Sequence, residues 1–142
     1  MQHTLLIAAA LCGLVLVPTA RAQDLYVGSN TPSNTLDLTN GTNTYAYIYI
    51  GYLSGSYSNT LNVNNAGTLL NSSYLFVGYY GTGTLNVEAG GVVSNTGGVI
   101  GNATNSTGVA TVTGSGSQWN NSSSLYVGYS GTGTLNVEAG GV

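Results

Sequence analysis

LFVGYYGTGTLNVEAGGV, residues 75–92, returns as LYVGYSGTGTLNVEAGGV at residues 125–142. Sixteen of the 18 positions are identical, at an offset of 50. Weaker copies lie before and between these two. Each opens with apolar-x-apolar-Gly or a close variant, passes through a Gly/Ser/Asn/Thr spacer, and ends in a short alternating run and another Gly. The opening glycines are Gly28, Gly51, Gly78, Gly101 and Gly128, spaced 23, 27, 23 and 27 residues. The unit of 50 is therefore two similar halves of about 25 residues, and a fixed period of this length marks a stacked-repeat architecture.

A second set of columns keeps the same register. Leu36, Leu61, Leu85, Ala110 and Leu135 recur 24 or 25 residues apart. Two residues later stand Leu38, Val63, Val87, Val112 and Val137, and between the pairs lie Asp37, Asn62, Asn86, Thr111 and Asn136. Apolar, polar, apolar is the period of a strand with one buried face. Downstream, Gly41, Gly67, Gly91, Gly116 and Gly141 form a further column, read as tight turns. Segments 29–33 and 102–106 read as loops.

Twenty-five residues with short strands and glycine corners cannot build a core alone; they bury an apolar stripe only against like neighbours. No stretch has a helical period, and Gly and β-branched residues oppose helix throughout. A propeller blade needs four antiparallel strands, but the two halves of the unit align with each other, one coil per half. The chain is thus expected to be all-β, a parallel β-helix (β-solenoid) of about 25 residues per coil. Five coils at about 4.8 Å give a rod of about 24 Å. Charge placement agrees. Stacked columns put equivalent side chains over each other, so they should carry amides and hydroxyls whose ladders hydrogen-bond. Glu88 and Glu138 fall in one column two coils apart, with Thr113 between them.

The amino terminus is different in kind. Residues 5–17 are an uncharged, mostly apolar run, Pro18 breaks it, and Ala20-Arg21-Ala22 is an A-x-A site. This predicts a secretory signal peptide over 1–22, cleaved before Gln23, with the repeat region at 23–142. Thirteen residues are too few for a membrane span of about 20. Cys12 lies inside the apolar run after Leu11, so it reads as part of the leader rather than as a lipidation site. The single Met, His, Cys and Arg all lie in 1–22, and there is no Lys. Residues 23–142 therefore lack the cations that nucleic acid or a polybasic membrane contact requires, the Cys and His of disulfides and zinc sites, and the groups for imidazole, thiol or amine catalysis.

The remaining candidates are few. Glu88 and Glu138 could suggest a glycosidase pair, which needs carboxyls about 5–9.5 Å apart, but they occupy equivalent repeat positions, so duplication explains them. The calcium nonapeptide of solenoids has no copy here, and GTGTL lacks the lysine and helix of a phosphate loop. No catalytic residue, cofactor or metal is expected, and the protein is read as a non-enzyme. Eleven Tyr against one Phe is the surviving signal. Alternation places Tyr26, Tyr45, Tyr47, Tyr49 and Tyr126 on the outer face as possible adhesive contacts, while Tyr52, Tyr79, Tyr80 and Tyr129 follow a glycine at a corner. Exposed aromatics can bind glycan rings or a partner surface; the plainer alternative is that Tyr is a good strand residue. Trp119 takes the place of Leu69 one unit earlier and reads as core or corner packing.

The stretch VTGSGSQWNNSSSLYVGYSGTGTLNVEAGGV, residues 112–142, resembles the repeat of type V secretion (autotransporter) passengers and PEP-CTERM surface proteins. The landmarks are Gly114, Ser115, Gly116, Ser117, Trp119, Asn121, Ser122, Leu125, Val127, Gly128, Gly131, Gly133, Thr134, Leu135, Val137, Gly140 and Gly141. The resemblance runs from about residue 25 to 142, strongest from 75. It implies an exported β-solenoid at the surface of a Gram-negative-type bacterium, of structural or adhesive function, and brings no catalytic residues. It also implies an N-terminal fragment, whose outer-membrane attachment would come only through a barrel or anchor beyond residue 142. Glycans or surface proteins are the expected partners, with end-to-end self-association through the open last coil. The alternative is a non-catalytic stalk for a polysaccharide-processing domain beyond residue 142.

Overall fold

The computed structural model describes residues 22–29, 33–71 and 73–142. The leader assigned to 1–22, save its last residue, and the middle of the 29–33 loop lie outside the described residues. Strands β1 (Leu25–Val27), β2 (Thr35–Thr39) and β3 (Thr42–Tyr45) form the first coil. The second is β4 (Ile48–Ile50), β5 (Asn59–Asn64) and β6 (Thr68–Asn71); the third is β7 (Tyr74–Val77), β8 (Thr82–Glu88) and β9 (Val92–Asn95). Strands β10 (Gly97–Ile100), β11 (Thr107–Thr113) and β12 (Gln118–Asn121) form the fourth coil, and β13 (Leu125–Val127) and β14 (Thr132–Glu138) belong to a fifth.

Corresponding strands of successive coils pair in parallel, giving three sheets: β1-β4-β7-β10-β13, β2-β5-β8-β11-β14 and β3-β6-β9-β12. The fold is the β-solenoid that the 25-residue period dictates, with four full coils and two strands of a fifth. The columns read from the sequence are the observed registers: Leu36↔Leu61↔Leu85↔Ala110↔Leu135 and Leu38↔Val63↔Val87↔Val112↔Val137. The side chains of these columns, Val137 of the last coil excepted, meet Ile48, Ile50, Leu75, Val77 and Ile100 from the first sheet and Leu69, Val93 and Trp119 from the third in one core. The polar column between them faces out and bonds along the axis: Asn62 Nδ2 donates to Asp37 Oδ1 at 2.6 Å, and Asn86 Nδ2 to Asn62 Oδ1 at 2.8 Å. A ladder of amides ending on a single carboxylate pairs its polar groups without stacking like charges.

Trp119 sits over Val93, which sits over Leu69. Its indole Nε1 donates to Asn95 Oδ1 at 2.6 Å, and Asn95 Nδ2 donates to Asn121 Oδ1 at 2.6 Å. A buried tryptophan needs such an acceptor. Space for the ring comes from Gly98 in the first sheet, where an added Cβ would meet Trp119 Cζ2 at 3.1 Å and Leu125 Cδ1 at 2.6 Å.

Two details correct the sequence reading. The turn between β11 and β12 is one residue longer than that between β8 and β9, so Ser117, not Gly116, stands at the place of Gly91. Ser117 is buried, and its Oγ accepts from the Gly90 N–H of the coil beneath at 3.1 Å. Tyr45, assigned to the outer face, packs against the core. Its strand ends there, residues 46 and 47 turn the corner, and β4 restarts the alternation at Ile48. The sequence Tyr45-Ala46-Tyr47-Ile48-Tyr49 alternates, but across a corner alternation no longer reports the face.

Candidate functional site

The outward column of the first sheet reads Tyr26, Tyr49, Phe76, Val99 and Tyr126. The four aromatic residues each lie between two apolar residues of the inward parity, and Val99 lies between Gly98 and Ile100, so strand alternation sends the column out. Parallel in-register pairing then fixes one ring above the next. Tyr26 and Tyr49 stack with centroids 5.0 Å apart and planes 12° apart; Tyr49 and Phe76 stack at 5.3 Å and 2°. A second column follows the corner glycines, where Tyr52 and Tyr79 stack at 5.6 Å and 1°. The two columns interlock edge to face: Tyr26–Tyr52 at 4.8 Å, Tyr49–Tyr79 at 4.9 Å and Phe76–Tyr79 at 4.9 Å. Tyr47, Tyr74 and Tyr80 extend the ridge at its margins, each more than a third exposed.

The ridge carries one carboxylate. Asp24 Oδ1 accepts the Tyr47 backbone N–H at 3.1 Å, and Asp24 Oδ2 lies 3.5 Å from the Tyr26 hydroxyl that donates to it. Burial, and after it the Asp24 charge, pushes the Tyr49 and Tyr26 phenols above the ordinary tyrosine range. Burial does the same for Tyr79, with a hydrogen bond to Tyr80 adding to it. These phenols stay protonated at neutral pH and keep a donor as well as an acceptor.

Of the residues singled out from sequence, Tyr26, Tyr47 and Tyr49 are brought together. Tyr126 is not: Val99 interrupts the column, and Tyr126 instead meets Tyr129 edge to face at 5.4 Å. Tyr45 is partly buried against the core, and that burial raises its phenol pKa. Phe76 and the corner rings Tyr52 and Tyr79 complete the ridge but were not among the residues singled out. The signal for them is present: aligned on Gly28, Gly51 and Gly78, the residue two before is Tyr, Tyr, Phe, and the residue after is Ser, Tyr, Tyr.

On the third sheet the outward column Thr44, Leu70, Ser94 and Asn120 borders an open hollow of about 440 Å³, and none of the residues lining it is ionisable. Glu88 and Glu138 flank Thr113 in adjacent registers of the second sheet, as repeat equivalents. Among the described residues no three His, Cys, Asp or Glu stand together as metal ligands, and no helix is long and apolar enough to cross a membrane. No family model, curated protein or solved structure matches the chain.

Proposed function

We propose that this chain is the β-solenoid of an exported structural or adhesive surface protein, whose rod presents the aromatic ridge of its first three coils to glycans. The observation that carries the reading is the ridge itself. Seven tyrosines and one phenylalanine gather on one side of a chain that has no other phenylalanine and whose charged side chains are sparse. Aromatic rings cost little side-chain entropy to present and combine apolar area with a polar tip. Repetition along a rod multiplies weak contacts into avidity. The leader-like run of residues 5–17 and the resemblance to autotransporter and PEP-CTERM repeats support export to the cell surface.

The test is retention of the purified chain on insoluble polysaccharide (cellulose, chitin and a gelled uronan), compared with a variant carrying Tyr47→Ser, Tyr74→Ser and Tyr80→Ser. These rings lie at the margins of the ridge, so the coil stack survives their removal, which circular dichroism checks. Retention by the native chain and its loss in the variant is expected. No retention of the native chain on any matrix retires the adhesive reading and leaves a purely structural rod.

A further inference from the structure

The way the rings are spent restricts what the ridge can hold. Parallel aromatic rings with centroids 5.0–5.6 Å apart, as in Tyr26–Tyr49, Tyr49–Phe76 and Tyr52–Tyr79, can lie so close only by overlapping face to face with an offset. Tyr49 has a stacked neighbour on each side along the rod. The faces are further covered by the edge-to-face contacts between the two columns. Among the central rings, both faces of Tyr49 and one face each of Tyr26, Phe76, Tyr52 and Tyr79 are thus taken up in part by neighbouring rings, which leaves their edges and hydroxyls as the parts free to meet a ligand. Ring edges carry the positive end of the aromatic quadrupole, and a protonated phenol both donates and accepts.

We propose that the ridge recognises an extended polysaccharide through a row of phenol hydroxyls and ring edges, rather than by stacking sugars on ring faces. This rests on the adhesive reading above and names the contact within it. A polysaccharide fits on three grounds. Its hydroxyl, ring and glycosidic oxygens supply acceptors along its whole length, matching edges and donors. An extended β-linked chain advances per sugar by close to one rung of the solenoid, so hydroxyls one coil apart meet successive sugars. Residues 23–142 carry no Lys, Arg or His, so beside the single carboxylate of Asp24 the ridge offers neutral hydrogen bonds, each weak and many in series.

The experiment separates hydroxyl from ring. Tyr47→Phe, Tyr52→Phe, Tyr79→Phe and Tyr80→Phe together keep every ring and every stack but remove four hydroxyls. Phe76→Tyr, made separately, adds one hydroxyl to the outward column. Both are compared with the native chain on the polysaccharide matrices named above, with thermal melts to confirm the fold. Because one neutral hydrogen bond shifts binding by roughly two- to tenfold, the fourfold variant is expected to lose at least about tenfold in affinity, and Phe76→Tyr to gain. Undiminished binding by the fourfold variant, beside loss of binding in the serine variant, overturns this inference and leaves adhesion by apolar ring area standing. Failure of the native chain to bind removes both.

Discussion

Coils three and five are almost the same sequence in two different places. TGTLNVE is β8 in one and β14 in the other, and the preceding triplets, LFV at 75–77 and LYV at 125–127, differ by a single hydroxyl. In coil three, Leu75, Val77, Leu85 and Val87 are all 0% exposed. In coil five, Leu125 and Leu135 are only partly covered, Val127 is 48% exposed and Val137 54%. The difference comes from neighbours: coil three lies between coils two and four, whereas among the described residues coil five has a coil on one side only. A coil does not bury its own apolar residues. The next coil buries them, so stability resides in the interfaces between repeats.

The comparison can be broken most forcefully by truncating the same leucine in both copies. Leu85→Ala opens a cavity in a filled core and is expected to cost about 2–5 kcal/mol. Leu135→Ala removes a side chain that solvent already reaches and should cost no more than about 1 kcal/mol. Urea denaturation with unchanged slope measures both, and equal losses would show that coil five is as tightly packed as coil three.

A smaller effect sharpens the same contrast at the corner glycine. Gly78 and Gly128 both have φ of 75°. A methyl on either incurs the left-handed penalty of about 1–2 kcal/mol. At Gly78 the methyl would also run into the Thr107 carbonyl of the next coil, whereas at Gly128 its nearest neighbour is the Gly131 carbonyl at 3.4 Å. Gly78→Ala should therefore lower the melting temperature clearly more than Gly128→Ala. Equal shifts would mean that backbone conformation, not the approach of the next coil, makes glycine necessary there.

The columns were legible because duplication wrote them five times over. Once Gly78 and Gly128 are aligned, Leu85 and Leu135 follow, and with them the in-register parallel pairing of the second sheet. The asparagine ladder followed from electrostatics alone: Asp37, Asn62 and Asn86 could stack because only one of them is charged. What the columns do not contain is packing between them. Gly98 belongs to one column and Trp119 to another, and nothing in either period says that the first makes room for the second. The ridge was half legible for the same reason. Tyr26 and Tyr49 share a column, but their interlocking with Tyr52 and Tyr79 depends on how the corner after Gly51 and Gly78 folds back. Tyr45 went astray where the period itself stops, at the turn before Ile48.

The central claim is that each coil is held by its neighbours, and the repeated heptapeptide allows it to be measured with sequence held constant. Amide hydrogen exchange followed by mass spectrometry can compare residues 82–88 with 132–138, because their intrinsic exchange chemistry is the same and the flanking Phe76 and Tyr80, against Tyr126 and Ser130, make the longer peptides distinguishable by mass. Strand β8, paired on both sides, should exchange at least about a hundredfold more slowly than β14, paired on one. Equal protection of the two stretches would contradict the claim, by showing that a coil is stable without a neighbour on each side.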